Sequence, residues 1–152
     1  MIVSTDKDFA QLQKFSNVKQ YSPVQKKFII EPNPRKNLFT HICKGDSVDS
    51  VPNVMSADDV FVTGERQTKM MSKKIEEWED AEDFRKAMGE DIYRNFLRNK
   101  KMIDLTEIPE DLIEEIINTF ESQTPAPASK VMPFLMQKKS RLLMEVYNDF
   151  VT

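Results

Sequence analysis

The sequence predicts an α/β fold that is predominantly helical, and three observations carry the prediction. An apolar strand, Met1-Ile2-Val3-Ser4, opens the chain. Two short extended runs then flank a turn at Pro23, and from Arg35 onward apolar residues recur at helical spacing almost to the C-terminus. One parallel-sheet edge, one small hairpin and six or more helices are therefore expected.

Each element has a local reason. The opening strand reads as buried and runs into Thr5-Asp6-Lys7-Asp8, after which Phe9, Leu12 and Phe15 predict a helix over residues 7–15. Asp6 and Asp8 thus lie where a strand hands over to a helix, the place where open α/β sheets bind ligands. They also suit simple capping, with Thr5 and Asp8 resembling a capping box. No later strand of the strongly apolar, parallel type follows, so the opening strand lacks obvious neighbours for its backbone groups. The chain therefore reads as the second half of a domain.

Val18–Ser22 and Lys27–Ile30 predict a hairpin, ended by Pro32 and Pro34. Arg35–Cys43 predicts a helix with Leu38, Phe39, Ile42 and Cys43 inward. Val51–Thr68 is loose, with Val60-Phe61-Val62 as a short extended piece. Thr68–Trp78 predicts a helix with Met70, Met71, Ile75 and Trp78 as apolar contacts and a row of Lys69, Lys73 and Lys74. Such a row is either a solvated face or a phosphate-tracking one. Helices follow over Ala81–Met88 and Asp91–Lys101, with Ile92, Tyr93, Phe96 and Leu97 inward, then an extended link at Met102–Leu105. Pro109, Glu110 and Asp111 open a further helix whose Leu112, Ile113, Ile116, Ile117 and Phe120 fall on one stripe. Gln123–Ser129 is a linker, and Met132–Met136 and Leu142–Phe150 close the chain as short helices. The nine methionines and ten phenylalanines read as core.

Composition bounds the function. At 152 residues the chain fits one domain, or a small domain with an appendage. With 31% charged and 39% hydrophobic residues, it reads as soluble and globular. No run approaches the roughly 20 apolar residues of a membrane span, and no signal peptide opens it, so no membrane partner is expected. The single Cys43 excludes an internal disulfide and cysteine-based zinc; the single His41 argues against histidine-rich metal chemistry. Both are placed in or beside a packed helix, which fits a reduced, cytoplasmic setting. Residues 1–44 carry eight Lys/Arg against three Asp/Glu, although the whole chain has a net charge of −3. A basic N-terminal part on an acidic protein suggests a localised polyanion contact.

The most informative stretch is Ile42–Asn53, ICKGDSVDSVPN. Gly45 can take the positive φ that stops a helix, and Asp46 and Asp49 point the same way if the turn after it is helical. Two carboxylates there suit a hard divalent cation, while free amides around Gly45 face a phosphate backbone. The alternative is helix punctuation, with Gly45 as terminator and an aspartate capping the next turn.

Segments spread along the chain resemble the 5′-nuclease family, which includes flap endonucleases and phage 5′→3′ exonucleases. STDKDFAQL (Ser4–Leu12) is similar to that family's strand-end aspartate pair. ICKGDSVDSVPNV (Ile42–Val54) resembles its helix–three-turn–helix, usually GDxxDNxPG. NKKMIDLTEIP (Asn99–Pro109) is similar to a further stretch, and VKQYSPVQKKF (Val18–Phe28) and GERQTKMMS (Gly64–Ser72) bring the phage branch closest. The resemblance runs from Met1 to about Phe150.

The resemblance implies the C-terminal part of a 5′-nuclease (PIN-like) domain, with residues 1–34 a remnant of the nuclease sheet domain and 35–152 the helix–three-turn–helix and helical C-terminal domain. It implies Mg2+-dependent phosphodiester hydrolysis of the ribonuclease H and 5′→3′ exonuclease type, acting on duplex or flap DNA or RNA·DNA hybrid. Asp6, Asp8, Asp46 and Asp49 match four of the family's metal-binding, catalytic carboxylates. Arg35, Lys36, Lys44, Gly45 and Ser47 are the implied DNA-binding positions. Two magnesium ions stabilise attacking and leaving oxygens together, and several carboxylates must converge to hold them.

The family's other ligands, first strands and helical arch lie upstream of the strand that begins here. An N-terminal partner is therefore expected to complete the two-metal site, and the chain alone to be catalytically poor. Ser50 and Asn53 replace the usual Asn and Gly of the motif, which touches its tight turn and an occasional potassium site. A non-catalytic duplex-binding or replication-protein interaction module is the second hypothesis. The acidic helix from Pro109 is the expected contact for a single-stranded-DNA-binding protein or sliding clamp.

Overall fold

The structure, a computed structural model, describes residues 1–150. It divides into two compact units, Met1–Ile108 and Pro109–Thr152. The expected change at residues 34/35 falls inside the first unit, where the N-terminal segment packs on the first α-helix.

The first unit opens with a three-stranded sheet in the order β1-β2-β3. Strand β1 (Ile2–Val3) lies parallel to β2 (Gln20–Ser22), with Ile2 opposite Gln20, and β3 (Lys27–Ile29) closes the expected hairpin antiparallel to β2. Two expectations are corrected here. β1 does have a parallel neighbour, and it is not buried, since Val3 is exposed. The buried positions of that neighbour, Gln20 and Ser22, are polar, so hydropathy does not mark it as a parallel-sheet strand. Gln20 is fully buried, and its amide donates to the carbonyls of Ser4 (3.1 Å) and Asp6 (2.7 Å). The side chain thus adds to the backbone bonds of the pair, from Ile2 N to Lys19 O and from Ser4 N to Tyr21 O.

Residues Lys7–Lys14 form a 3-10 helix rather than an α-helix. Asp6 caps it, accepting from the Asp8 amide at 3.0 Å, so the cap is Asp6 and not the Thr5/Asp8 box. Two glutamines hold the second half of the segment. Gln13 donates to Ile29 O and accepts from the Glu31 amide, and Gln11 bridges Ile103 O and the Leu105 amide.

Helix α1 (Pro34–Lys44) starts with Asn33 accepting from the Lys36 amide and Pro34 in the first turn, and ends at Gly45. The core of this unit gathers Ile42 and Cys43 from α1, Ile75 and Trp78 from α3 (Ser72–Glu79), and Phe96 and Ile103 from α5 (Glu90–Ile103). Phe39, Phe84, Tyr93 and Phe96 meet edge-on or tilted, apart from a stacked Tyr93–Phe96 pair. Of the four, Phe96 is buried and contributes about 1.5–3 kcal/mol; Phe39 and Tyr93 are half-buried and Phe84 is exposed.

Between α1 and α3, Val60–Thr63 is a single helical turn, α2, not an extended piece. The β-branched residues favour a strand locally, but the Asp59 carbonyl accepts from both Val62 and Thr63 and Gly64 ends the turn left-handed. Helix α4 is confined to Phe84–Met88, and Met102 and Ile103 belong to α5 rather than to a link. Met71 and Leu97, expected inward, are exposed.

The second unit contains α6 (Glu110–Ser122), α7 (Val131–Gln137) and α8 (Arg141–Glu145), with a 3-10 turn at Tyr147–Phe150. Leu135 is its buried apolar residue among those described, and the whole predicted stripe of α6 is exposed. Several methionines and phenylalanines expected in the core, among them Met136, Phe120 and Phe134, are likewise exposed. A unit this short has too little interior to cover them. Among the described residues no helix is long and apolar enough to cross a membrane.

Candidate metal centre

The last turn of α1 and the loop after it build the site. Gly45 has φ 67° and ψ −172°, a conformation open essentially to glycine alone. Its amide donates to His41 O at 2.9 Å, closing the helix. The chain then doubles back: Asp46 and Val51 exchange both backbone bonds, at 2.8 and 2.7 Å. A Cβ on Gly45 would lie 2.4 Å from Val51 O and 2.6 Å from Pro52 C and O. The expected helical turn carrying Asp46 and Asp49 together is therefore absent. The loop is a tight bridged turn with Ser50 at φ 59°, and the Asp46 Oδ1 accepts from the Val48 amide at 3.0 Å. The amides of Gly45, Asp46 and Val48 are thus engaged internally rather than free for phosphate.

The loop is anchored from behind. Asn99, fully buried on α5, donates from one amide nitrogen to Ile42 O (2.9 Å) and Pro52 O (2.8 Å), and Arg98 donates to Pro52 O at 3.2 Å. Asn53, standing where the related motif often has glycine, accepts from Met55 N and Ser56 Oγ and donates to Thr68 O. A polar side chain thereby fixes this strand of the loop.

These supports bring three side chains together. Asp8, His41 and Asp46 each offer a ligand atom, all within 4.8 Å of one another. His41 Nδ1 is 3.3 Å from Asp8 Oδ1, His41 Nε2 is 3.4 Å from Asp46 Oδ2, and the Lys7 ammonium sits 2.7 Å from that same oxygen. Asp8 Oδ1 and His41 Nε2 are buried without any hydrogen-bond partner. Burial pushes the Asp8 carboxyl above its ordinary range, with His41 opposing and Asp6 and Asp46 adding to the rise. The Lys7 hydrogen bond draws Asp46 below its ordinary range, against the cost of its burial and with help from the Val48 amide.

Of the four predicted carboxylates, Asp8 and Asp46 converge, while Asp6 and Asp49 are exposed and outside the group. His41 is the member that sequence reading missed. Its signal was present in the spacing His41-x-x-x-Gly45-Asp46, which sets the imidazole in the last helical turn beside the first residue past the helix stop. Around the site, Arg35, Lys44 and Ser47 are exposed; Lys36 pairs with Glu79 at 3.1 Å, and Gly45 is buried.

A small sheet, helices around a bridged glycine turn and a carboxylate pair beside it define the helical C-terminal region of a 5′-nuclease. Residues 33–150 match the family described as "T4 RNase H, C terminal", and the chain belongs to that family. It is 31% identical over 156 residues to Ribonuclease H of Enterobacteria phage T4, an alignment covering 99% of this chain and 51% of that relative. The chain thus spans about half the length of the curated relative it matches.

Proposed function

We propose that this chain is the C-terminal part of a phage-type ribonuclease H and 5′→3′ exonuclease, hydrolysing phosphodiester bonds with Mg2+ to remove RNA primers and 5′ ends during DNA replication in the host cytoplasm. The observation that supports this reading is the convergence of Asp8 and Asp46, from segments 38 residues apart, on one buried spot. Two carboxylate oxygens, one of them without a partner, fit a divalent cation, and the Lys7 ammonium on Asp46 marks where positive charge is favoured. When bound, magnesium supplies a lowered water pKa and charge neutralisation at the phosphate.

Asp8 and Asp46 would hold the ion, and the exposed Asp6 and Asp49 would be available to it once substrate binds. Two convergent carboxylates supply only part of a two-cation site; an N-terminal half of the nuclease contributes the remainder. Lys44, Arg35, Lys36 and Ser47, on and beside the turn that Gly45 shapes, take the phosphate backbone of duplex, flap or RNA·DNA hybrid through their side chains. Residues 1–34 then belong with the nuclease sheet and 35–152 with the duplex-gripping and helical part. The acidic α6 contacts a single-stranded-DNA-binding protein or sliding clamp.

Cleavage of a 5′-labelled flap and of an RNA·DNA hybrid tests the reading, with the chain alone and then with an N-terminal half from the same source. Magnesium-dependent cleavage in the mixture, lost on Asp46→Asn with binding retained, is the expected result. Duplex binding without cleavage in either case would leave a non-catalytic binding module in its place.

A further inference from the structure

We propose that Arg94 and Arg98 form a further contact for the phosphate backbone of a nucleic-acid duplex, apart from the glycine turn, and that Asp58 fills it until a phosphate takes its place. The inference extends the duplex-binding reading above and rests on it.

The spacing and the donors carry the argument. Arg94 and Arg98 stand four residues apart on α5, so their side chains leave the same face. Both reach the carboxylate of Asp58, in the turn that leads into α2. Arg94 grips it through both terminal nitrogens, with Nη1 3.2 Å from Oδ1 and Nη2 on Oδ2, and Arg98 Nη1 meets Oδ1 as well. Forked donors of this kind suit a phosphate as well as a carboxylate. Two cations share one carboxylate here, and Asp91 acts on Arg94 through charge alone.

The partners differ in how firmly they are held. Arg98 keeps its place without Asp58, donating from Nε to Asn99 Oδ1 at 2.9 Å and from Nη2 to Pro52 O at 3.2 Å. Arg94 Nη1 also donates to Asn95 Oδ1 at 2.9 Å, and Asn95 is itself tied to Val54 O. The Asp58 side chain, by contrast, is 45% exposed. Exposed ion pairs are weak, and exchanging a carboxylate for a phosphate leaves the same donors satisfied. The duplex supplies the net gain, because each phosphate neutralised releases counterions.

The position fits the same occupant. Pro52, whose carbonyl Arg98 holds, directly follows the Asp46–Val51 bridge of the glycine turn. Bonds from Asn53 to Gln67 and Thr68 bring the segment carrying the exposed Arg66 and Lys69 beside this loop. The arginine pair therefore adjoins the turn that takes duplex in the reading above.

Anisotropy of a labelled blunt duplex, in EDTA and across roughly 50–200 mM KCl, tests the inference. Asp58→Asn should tighten binding about fivefold, a size set by the modest strength of exposed pairs. Asp59→Asn, the same change of charge one residue on, should tighten it by less than about twofold. Arg94→Gln should weaken the unmodified chain, lower its salt slope by about 1 and abolish the gain in the Asp58→Asn background. Equal effects of Asp58→Asn and Asp59→Asn, or no gain from Asp58→Asn, overturn the proposal, since Asp58 then only ties its loop; duplex binding by the unmodified chain survives that outcome. If Asp58→Asn loses helical circular dichroism, the Nε–Hε resonances of Arg94 and Arg98 in the unmodified chain decide. Selective shifts on adding duplex support the exchange, and their absence overturns it. Failure of every variant to bind duplex overturns it equally; the cleavage assay then judges the nuclease reading separately.

Discussion

Replacing Gly45 by alanine should unfold the site by a calculable amount, and Gly64→Ala provides the internal control. Both glycines have positive φ, 67° and 72°, but their surroundings differ. At Gly64 nothing lies within 4 Å of an added Cβ, and the residue is left-handed helical. Alanine there pays only the backbone cost of that region, about 1–2 kcal/mol. At Gly45 the conformation itself costs about 1–3 kcal/mol for any other residue. In addition, the Cβ would sit 2.4 Å from Val51 O and 2.6 Å from Pro52 C and O, all backbone atoms that cannot swing aside. Relief requires opening the Asp46–Val51 bridge, whose two hydrogen bonds contribute about 1 kcal/mol each. The total comes to about 3–5 kcal/mol, or roughly 10 °C in Tm for a chain of this size. The single, buried Trp78 reports unfolding of the Met1–Ile108 unit by fluorescence, so urea curves of the two variants can be compared directly. Equal losses, within about 0.5 kcal/mol, would refute the close-approach argument and leave backbone conformation as the whole effect.

Three further outcomes follow from named contacts. Asn99→Leu strips the Ile42 carbonyl of its partner, whereas Pro52 O keeps Arg98; a loss of about 2–4 kcal/mol in urea unfolding is expected. Burial pushes the Cys43 thiol from 9.0 up to about 12, so the folded state holds a proton that the unfolded chain releases first. Stability is full below pH 9 and falls as pH rises toward 12, by at most about 1.4 kcal/mol per unit, and Cys43→Val should flatten that part of the Tm–pH profile. Arg94, then Arg98, hold Asp58 below the ordinary carboxylate range, so its contribution is present above about pH 4 and disappears as pH falls through the folded value. Asp58→Asn should therefore lower Tm at pH 7, and by less as the pH falls.

What the sequence disclosed and what it hid divide along physical lines. Helix α1, its glycine stop, the hairpin and α5 were legible because each rests on local rules: spacing of apolar residues, a proline turn, a residue free to take positive φ. Asp8 and Asp46 were legible as a pair only through the order of motifs. Hidden were the features made by tertiary contact. Gln20 and Asn99 are polar residues in core positions, so hydropathy marks them as surface. Asp6 and Asp49 carry the same chemistry as their neighbours, but one is used as a helix cap and the other rides on the outside of the turn. The α6 stripe has the spacing of a core helix and is nonetheless exposed, because periodicity says that a face is apolar without saying what covers it.

The glutamine that seats the N-terminal segment bears on the order of assembly during synthesis. Gln11 finds its partners at Ile103 and Leu105, 92 and 94 residues further along. Contacts that close so long a loop form late, since chain entropy must be lost before they repay it. While a ribosome is still making α5, the segment bearing Asp8 can already pack on α1 but lacks the two hydrogen bonds that Gln11 makes to Ile103 and Leu105. The Asp8–Asp46 pair thus gains its last anchor only after residue 105 emerges, and a nascent chain stalled earlier carries the glycine turn with the Asp8 segment not yet tied down at Gln11.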